Sequence, residues 1–145
     1  MNKGNKVRKI GKKASHRKSL ISTQLTTLFE FGKLKTTTPK AKVVKGHAES
    51  FINKIKKLDS EVEKIRFADK KLNNTNAIKN GIKYIVDGAA KVTIARVSYR
   101  AGDNAELSEL ELVDFDKIFE KKSASKKSSK SSKSKKSDSK EKKEK

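Results

Sequence analysis

The charge of this chain is divided among three segments, and this division confines the folded core to the middle of the sequence. Residues 1–19 carry eight lysine and arginine side chains and no acid, and residues 121–145 carry twelve lysines against three acids. Residues 20–120 hold eighteen basic and fourteen acidic side chains and almost all of the large apolar ones. A cationic segment with few apolar side chains cannot bury enough surface to offset its ordering entropy, so both ends are predicted to be disordered when alone.

The remaining core of about 100 residues suits one domain. We predict a single domain over residues 1–120, with a basic arm at 1–14, followed by a disordered Lys/Ser tail at 121–145. The chain contains no cysteine, which excludes disulfides, thiolate metal sites and cysteine nucleophiles. No apolar run approaches the ~20 residues that cross a bilayer, and residues 1–13 lack the apolar stretch of a signal peptide, so a cytoplasmic protein without membrane contact is expected.

Apolar residues at helical spacing predict two helices in the first half of the core. The first begins with Ser15 as N-cap and ends at Gly32. The second has Thr38 as N-cap and Pro39 at the first helical position, where a missing N–H costs nothing. The apolar faces are predicted to consist of Leu20, Ile21, Leu25, Leu28 and Phe29 in the first helix and Val44, Ala48, Phe51, Ile52, Ile55 and Leu58 in the second.

Two further helices are predicted before residue 90. Ser60 and Glu63 have the spacing of a capping box at the start of the third helix, and Gly88 ends the fourth. The predicted core residues are Ile65, Phe67, Ala68 and Leu72 for the third helix and Ile78, Ile82, Ile85 and Val86 for the fourth.

The periodicity then changes to that of strands. Residues 92–100 and 107–115 are rich in β-branched and aromatic side chains, with a Gly-Asp-Asn turn at 102–104 between them, which predicts an antiparallel hairpin. Their imperfect alternation predicts either a bulge or a strand covered on both faces. With a short strand at 33–37, the prediction is an α+β fold of about four helices and a small three-stranded sheet.

Basic side chains in three places are candidate contacts with nucleic acid. The arm and the start of the first helix either follow a phosphate backbone or form a solvated terminus, and we favour the former because no acid offsets their charge. The second stretch flanks a threonine run that can cap a helix and also face a phosphate. The two arginines near residue 100 are expected on one face of a strand, where they either meet RNA or pair with acids of the neighbouring strand. The candidates are Lys6, Arg8, Lys9, Lys12, Lys13, His16, Arg17 and Lys18; Lys33, Lys35, Thr36, Thr37, Pro39, Lys40 and Lys42; and Arg96 and Arg100.

Nothing in the sequence indicates catalysis. Residues 101–116 contain six acids and no base, which indicates a solvated face, or one that meets a basic neighbour, rather than a carboxylate pair for catalysis or metal binding. There is no nucleophile elbow, phosphate loop or metal-ligand cluster, and His16 stands alone among cations. We therefore expect no enzyme, cofactor, metal or small-molecule substrate.

Three blocks in matching order resemble the bacterial large-subunit ribosomal protein family conventionally numbered seventeen. They are the ASHR sequence at 14–17, KTTTPKA at 35–41, and YRAGDNA at 99–105 with ELELV at 109–113. The resemblance implies an α+β structural protein that binds large-subunit ribosomal RNA near the exit of the nascent-chain tunnel, beside neighbouring large-subunit proteins. It also implies that the arm, the first helix and the Thr-Thr-Pro-Lys block make the RNA contacts.

Two other functions are compatible with the charge distribution. A nucleoid-associated protein can coat DNA through a histone-like lysine tail, and an adaptor can bind acidic proteins through both ends. A DNA-coating protein can work with residues 121–145 alone, whereas a ribosomal component is expected to need the arm. The chain has 33 lysines and only five arginines, so its contacts are expected to be electrostatic rather than shaped.

Overall fold

A computed structural model describes residues 9–88 and 90–119 of the chain. It has two units, Met1–Val113 and Asp114–Lys145. The elements of the first unit, in order, are α1 (Ala14–Phe31), β1 (Lys33–Thr37), α2 (Thr38–Lys56), α3 (Glu61–Asp69), α4 (Thr75–Asp87), β2 (Val92–Tyr99) and β3 (Glu106–Leu112). The second unit contains one short helix, α5, at 115–119. The predicted α+β class is confirmed, whereas the first eight residues of the arm and the predicted tail lie outside the described residues.

The sheet has the order β1-β3-β2, and both strand pairs are antiparallel. Side chains of β3 alternate between its two faces: Ser108, Leu110 and Leu112 are buried on the side that packs against α2. Glu109 and Glu111 lie on the opposite face, next to the lysines of β1 in the register. The sheet therefore has an apolar face toward the helices and a charged outer face.

A bulge at Val97 interrupts the pairing of β2 with β3. It confirms one of the two predictions made from the irregular alternation of apolar side chains in β2. Arg96 lies opposite Ser108, but Ser98 lies opposite Leu107, so β2 has one extra residue. Because a bulge shifts the alternation of side chains, the prediction that Arg96 and Arg100 share one face is wrong. The second half of β2 is exposed, which rules out a strand covered on both faces.

The helical core is built around Phe29 of α1. Its ring lies 5.0 Å from the ring of Phe51 in α2, measured between centroids. On the other side, α4 approaches so closely that a Cβ atom at Gly81 would lie 3.3 Å from Cδ1 of Phe29. Glycine at this position therefore allows α1 and α4 to pack closely. None of the described helices is both long enough and apolar enough to span a membrane.

Two of the predicted helix caps are displaced. Lys13 is the N-cap of α1, so Ser15 lies inside the first turn; α2 starts at Thr38 and is capped by Thr37. The reason in the second case is tertiary. The buried Thr38 hydroxyl donates to the Glu106 carbonyl oxygen (3.2 Å) and lies 2.7 Å from the Ser108 hydroxyl, so it serves β3 rather than its own helix.

The other predicted boundaries agree with the structure more closely. Gly32 ends α1 in the left-handed conformation (φ 76°), and Gly88 ends α4. Ser60 precedes α3 as predicted, but its side chain makes no cap hydrogen bond. The last strand ends at Leu112 rather than at residue 115, because Asp114 adopts a positive φ of 61° that turns the chain out of the strand conformation.

The predicted apolar faces are largely confirmed, with two errors. Ile65 and Val86 are 46% and 61% exposed, so neither belongs to the core. Helix α3 is only nine residues long and buries Ala68 alone, while Phe67 is half-buried. In α4 the covered side instead includes Tyr84, which is fully buried and which the apolar pattern did not predict.

Candidate nucleic-acid interface

The described part of the basic arm forms a turn that is held against α1 by Arg17. Positive φ angles at Ile10 (55°) and Gly11 (62°) reverse the chain, and the Lys12 N–H donates to the Lys9 carbonyl oxygen at 3.2 Å. Nη1 of Arg17 donates to the carbonyl oxygens of Lys12 (3.3 Å) and Lys9 (3.5 Å). Arg17 thus positions the lysines of the arm at the start of the helix.

The cations around the start of α1 have no acidic partner among the described residues. Lys9, Lys12, Lys13, His16 and Lys18 are all exposed, and none forms an ion pair within that part of the chain. The first turn of α1 contains no acid either, and its free N–H groups add partial positive charge. This region is a concentrated positive surface.

The second predicted stretch, at β1 and the start of α2, is divided by the structure. Lys33 forms an ion pair with Glu111 of β3 at 3.6 Å, and the Thr36 hydroxyl accepts a hydrogen bond from Nε2 of Gln24 at 3.2 Å. By contrast, Lys35, Lys40 and Lys42 form no ion pair within residues 9–88 and 90–119. At the start of α2, the side chains of Thr37 and Pro39 make no cap hydrogen bond.

The two arginines of the hairpin are paired with acids. Nε of Arg96 lies 2.8 Å from Oε1 of Glu106 on the neighbouring strand. Arg100 donates to both carboxylate oxygens of Asp103 in the turn, at 2.9 and 2.5 Å. The hydrogen bond from Arg100, with a weaker one from the Ala105 N–H, lowers the pKa of Asp103 to about 2, and the same contact raises the pKa of Arg100. Asp103 and Glu106 therefore meet basic neighbours, one of the two interpretations of the acidic stretch, and the charge of both arginines is partly offset locally.

A basic cleft that the sequence analysis missed opens between α1, α2 and α3. It has a volume of about 760 Å³, and its lining includes Lys18, Lys54, Lys70 and Lys71 but no acid among the described residues. The pKa of His47, which also lines the cleft, is lowered by burial and by the charge of Lys71. The only sequence signal was the lysine-rich side of the second helix, and nothing in the pattern indicated that lysines 70 and 71 would lie beside it.

The floor of this cleft is apolar and its wall is fixed by hydrogen bonds. Leu25 and Phe51 are buried beneath it, and the half-buried ring of Phe67 stacks on Phe51 at a centroid distance of 5.8 Å and an interplanar angle of 25°. The Ser22 hydroxyl of α1 lies 2.7 Å from the backbone oxygen of Lys71 and 2.9 Å from Oδ1 of Asn73. These contacts hold the segment after α3 against α1.

The described residues were also compared with the ligand set that a metal ion requires. No three His, Cys, Asp or Glu side chains there lie close enough together to hold a metal ion. Two of the predicted RNA-binding residues, Lys6 and Arg8, lie outside the described residues.

Comparison with known proteins gives one consistent result. The family model described as ribosomal protein L17 matches residues 20–113, from within α1 to the residue that follows β3. A large ribosomal subunit protein bL17 from Campylobacter fetus is 34% identical over 109 residues, which cover 73% of this chain and 92% of that protein. Proteins of the same name from Phocaeicola vulgatus and Flavobacterium johnsoniae are 31% and 32% identical, and the matches cover 88% and 82% of this chain and 81% and 75% of those proteins.

Proposed function

This chain belongs to the ribosomal protein L17 family and is a structural constituent of the large ribosomal subunit, and we propose that it binds large-subunit ribosomal RNA through its basic arm. The start of α1 and the β1–α2 junction complete the proposed RNA-binding surface. Members of this family are structural components of the bacterial ribosome rather than enzymes, so the chain acts in the cytoplasm as part of that particle. The alternative of a DNA-coating protein has no support from these relatives, each of which is named as a large-subunit protein.

The observation that carries the RNA-binding proposal is the division between paired and unpaired cations. Lys33, Arg96 and Arg100 have acidic partners within the fold. The lysines at the start of α1 and at the β1–α2 junction have none among the described residues. Like charges gathered without counterions repel one another, and neutralisation by RNA phosphates releases the counterions of the nucleic acid. Among the predicted contact residues, the lysines without an acidic partner therefore have most to gain from binding RNA.

The chemistry of this surface favours recognition of the RNA backbone. Lysine ammonium groups neutralise phosphates as flexible point charges, and the N-termini of α1 and α2 present backbone N–H groups with partial positive charge. Neither element has an acid in its first turn. Folded RNA presents its phosphates in a defined shape, so contacts of this kind position a protein without reading bases.

A triple substitution tests the role of the arm in the full chain. We expect Lys9→Gln, Lys12→Gln and Lys13→Gln together to lower the slope of log affinity for large-subunit rRNA against log salt by about 2 to 3, since each neutralised phosphate contributes roughly 0.7 to 0.9. The matched control replaces Lys56, Lys57 and Lys79, three exposed lysines of the same total charge outside the proposed surface. Equal losses of slope in the two variants would contradict the proposal, because only net charge would then matter.

The position on the ribosome is a separate part of the proposal. As a member of this family, the chain is proposed to lie near the exit of the nascent-chain tunnel and to contact neighbouring large-subunit proteins. Nascent chains carrying a photoreactive residue and stalled at increasing lengths on intact ribosomes provide the test. Cross-links to this protein are expected only from chains long enough to reach the exit, and their absence at every length would contradict the placement.

A further inference from the structure

We infer that the cleft between α1, α2 and α3 binds an unstacked RNA nucleotide, with its base against Phe67 and its flanking phosphates on the lysines of the rim. This inference rests on the proposed RNA-binding function and specifies which part of the RNA enters the protein. It adds a contact of a different kind from the arm, because the cleft offers an aromatic ring as well as charge.

The rim of the cleft is built to hold anions. Lys18 comes from α1, Lys54 from α2, and Lys70 and Lys71 from the segment that follows α3, so three separate parts of the chain bring four ammonium groups to one opening. None of the four forms an ion pair with any residue that the structure describes. Their mutual repulsion is an energetic cost of the fold, and phosphates bound at the rim would remove it.

The floor of the cleft is suited to a nucleobase. Phe67 lines the opening and is only half-buried, while its stacking on the buried Phe51 restricts the orientation of the ring. Bases that are unstacked from RNA are commonly recognised by stacking on aromatic side chains. The volume of about 760 Å³ lies within the range of small-ligand sites, about 300–1,000 Å³.

Two features favour a nucleotide over other anionic partners. A duplex backbone or an acidic peptide would use the lysines but would gain little from the half-buried aromatic ring. In addition, Lys18 lies both on the rim and on the first turns of α1, so the cleft is continuous with the proposed RNA-binding surface. A strand that follows the arm would pass directly to the cleft.

The test compares two RNA probes of equal charge with the full-length protein: a single-stranded oligouridine octamer and an abasic octamer of the same length. We expect the wild-type protein to bind the octamer with bases roughly 5- to 150-fold more tightly, the contribution of stacking one base. Phe67→Leu is expected to lower the affinity for oligouridine by about fivefold or more and to leave the affinity for abasic RNA unchanged. The reason is that an aliphatic side chain keeps the apolar contact but cannot stack on a base. Phe31→Leu is the matched control, since Phe31 is exposed and does not line the cleft.

A second pair of variants tests the rim independently of the ring. Lys70→Gln with Lys71→Gln is expected to lower the salt slope for oligouridine by about 1.4, at roughly 0.7 per phosphate of a single strand, and the control Lys56→Gln with Lys57→Gln is expected to leave it unchanged. Far-UV circular dichroism checks that each variant is folded.

Three outcomes would overturn the inference. The first is an equal effect of Phe67→Leu on both probes, the second is an equal slope in the two double-lysine variants, and the third is displacement of oligouridine by an oligoglutamate of equal charge at equal concentration. Failure of the proposed function is distinguishable from these results. If the wild-type protein does not bind large-subunit rRNA, that function is refuted. If it binds the rRNA but the cleft variants bind oligouridine as tightly as the wild type does, only the nucleotide site is refuted.

Discussion

Replacement of Tyr84 by phenylalanine tests how the helices are joined to the sheet. The buried Tyr84 hydroxyl lies 2.9 Å from the carbonyl oxygen of Lys91 and 3.0 Å from that of Val113, and it accepts a hydrogen bond from the Lys91 N–H at 3.2 Å. A hydroxyl has one proton, so it donates to one of these carbonyl groups at a time. Through it, α4 contacts the residues that precede β2 and follow β3.

The expected loss follows from the groups that Tyr84→Phe leaves without a partner. The carbonyl oxygen of Lys91 still accepts from the Val113 N–H at 3.0 Å, but the Val113 carbonyl and the Lys91 N–H each lose a contact. Lys91 is exposed, so water can accept the hydrogen bond of its N–H in place of the lost hydroxyl. One net hydrogen bond and one poorly satisfied carbonyl together give a destabilisation of about 2 kcal/mol. For a unit of this size, this corresponds to a fall in Tm of about 8 °C.

Urea unfolding of the full chain, followed by far-UV circular dichroism, measures this effect as a lower transition midpoint with an unchanged m-value. Tyr99→Phe is the matched control: its side chain is 65% exposed, so the same substitution is expected to change stability by less than about 0.5 kcal/mol. Equal stability of the Tyr84 variant and the wild type, or equal losses of stability at both tyrosines, would contradict a structural role for the Tyr84 hydroxyl.

Two further predictions concern packing and pH. Gly46→Ala is expected to stabilise α2 by about 0.5–1 kcal/mol, because no atom lies within 4 Å of the new Cβ. Gly81→Val is expected to destabilise the protein by about 1–3 kcal/mol through overpacking against Phe29. A urea midpoint above that of the wild type for the first variant and below it for the second would confirm the two predictions. For Asp103, whose pKa is lowered to about 2, the contribution to stability is fully present above its unfolded value of 3.8 and is lost as pH falls through about 2. A carboxyl ¹³C titration is expected to show that midpoint, and Arg100→Gln is expected to move it upward; an unmoved midpoint would exclude Arg100 as the cause.

Much of the fold could be predicted because it depends on local patterns. Glycine ends α1 at Gly32 because it adopts the left-handed conformation without strain, and a proline lies in the first turn of α2. The irregular alternation of residues 92–100 was itself the signal of the bulge at Val97. In each case the residue type restricts its own backbone, so no distant contact is required.

The errors arose where a distant element determined the result. Thr38 was predicted as a cap, but its hydroxyl contacts Ser108, seventy residues away, and the helix starts one residue earlier than predicted. The apolar side chain of Val86 is typical of a core residue, but no described element covers it enough to bury it. Tyr84 is amphipathic, and its burial depends on backbone groups near β2 and β3 that accept and donate its hydrogen bonds.

The chemistry of the candidate interface follows from the residues and their order: the basic arm, the lysines and threonines around the start of α2, and the absence of cysteine can all be read from the chain without its fold. Which of these charges remain without an acidic partner depends on how the chain folds. Pairing of β1 with β3 brings Glu111 to Lys33, and the packing of α1, α2 and α3 brings Lys18, Lys54 and Lys70 to one cleft. The reason is physical: a side chain carries its charge wherever it lies, but neutralisation depends on distance, and folding sets the distances between residues far apart in sequence.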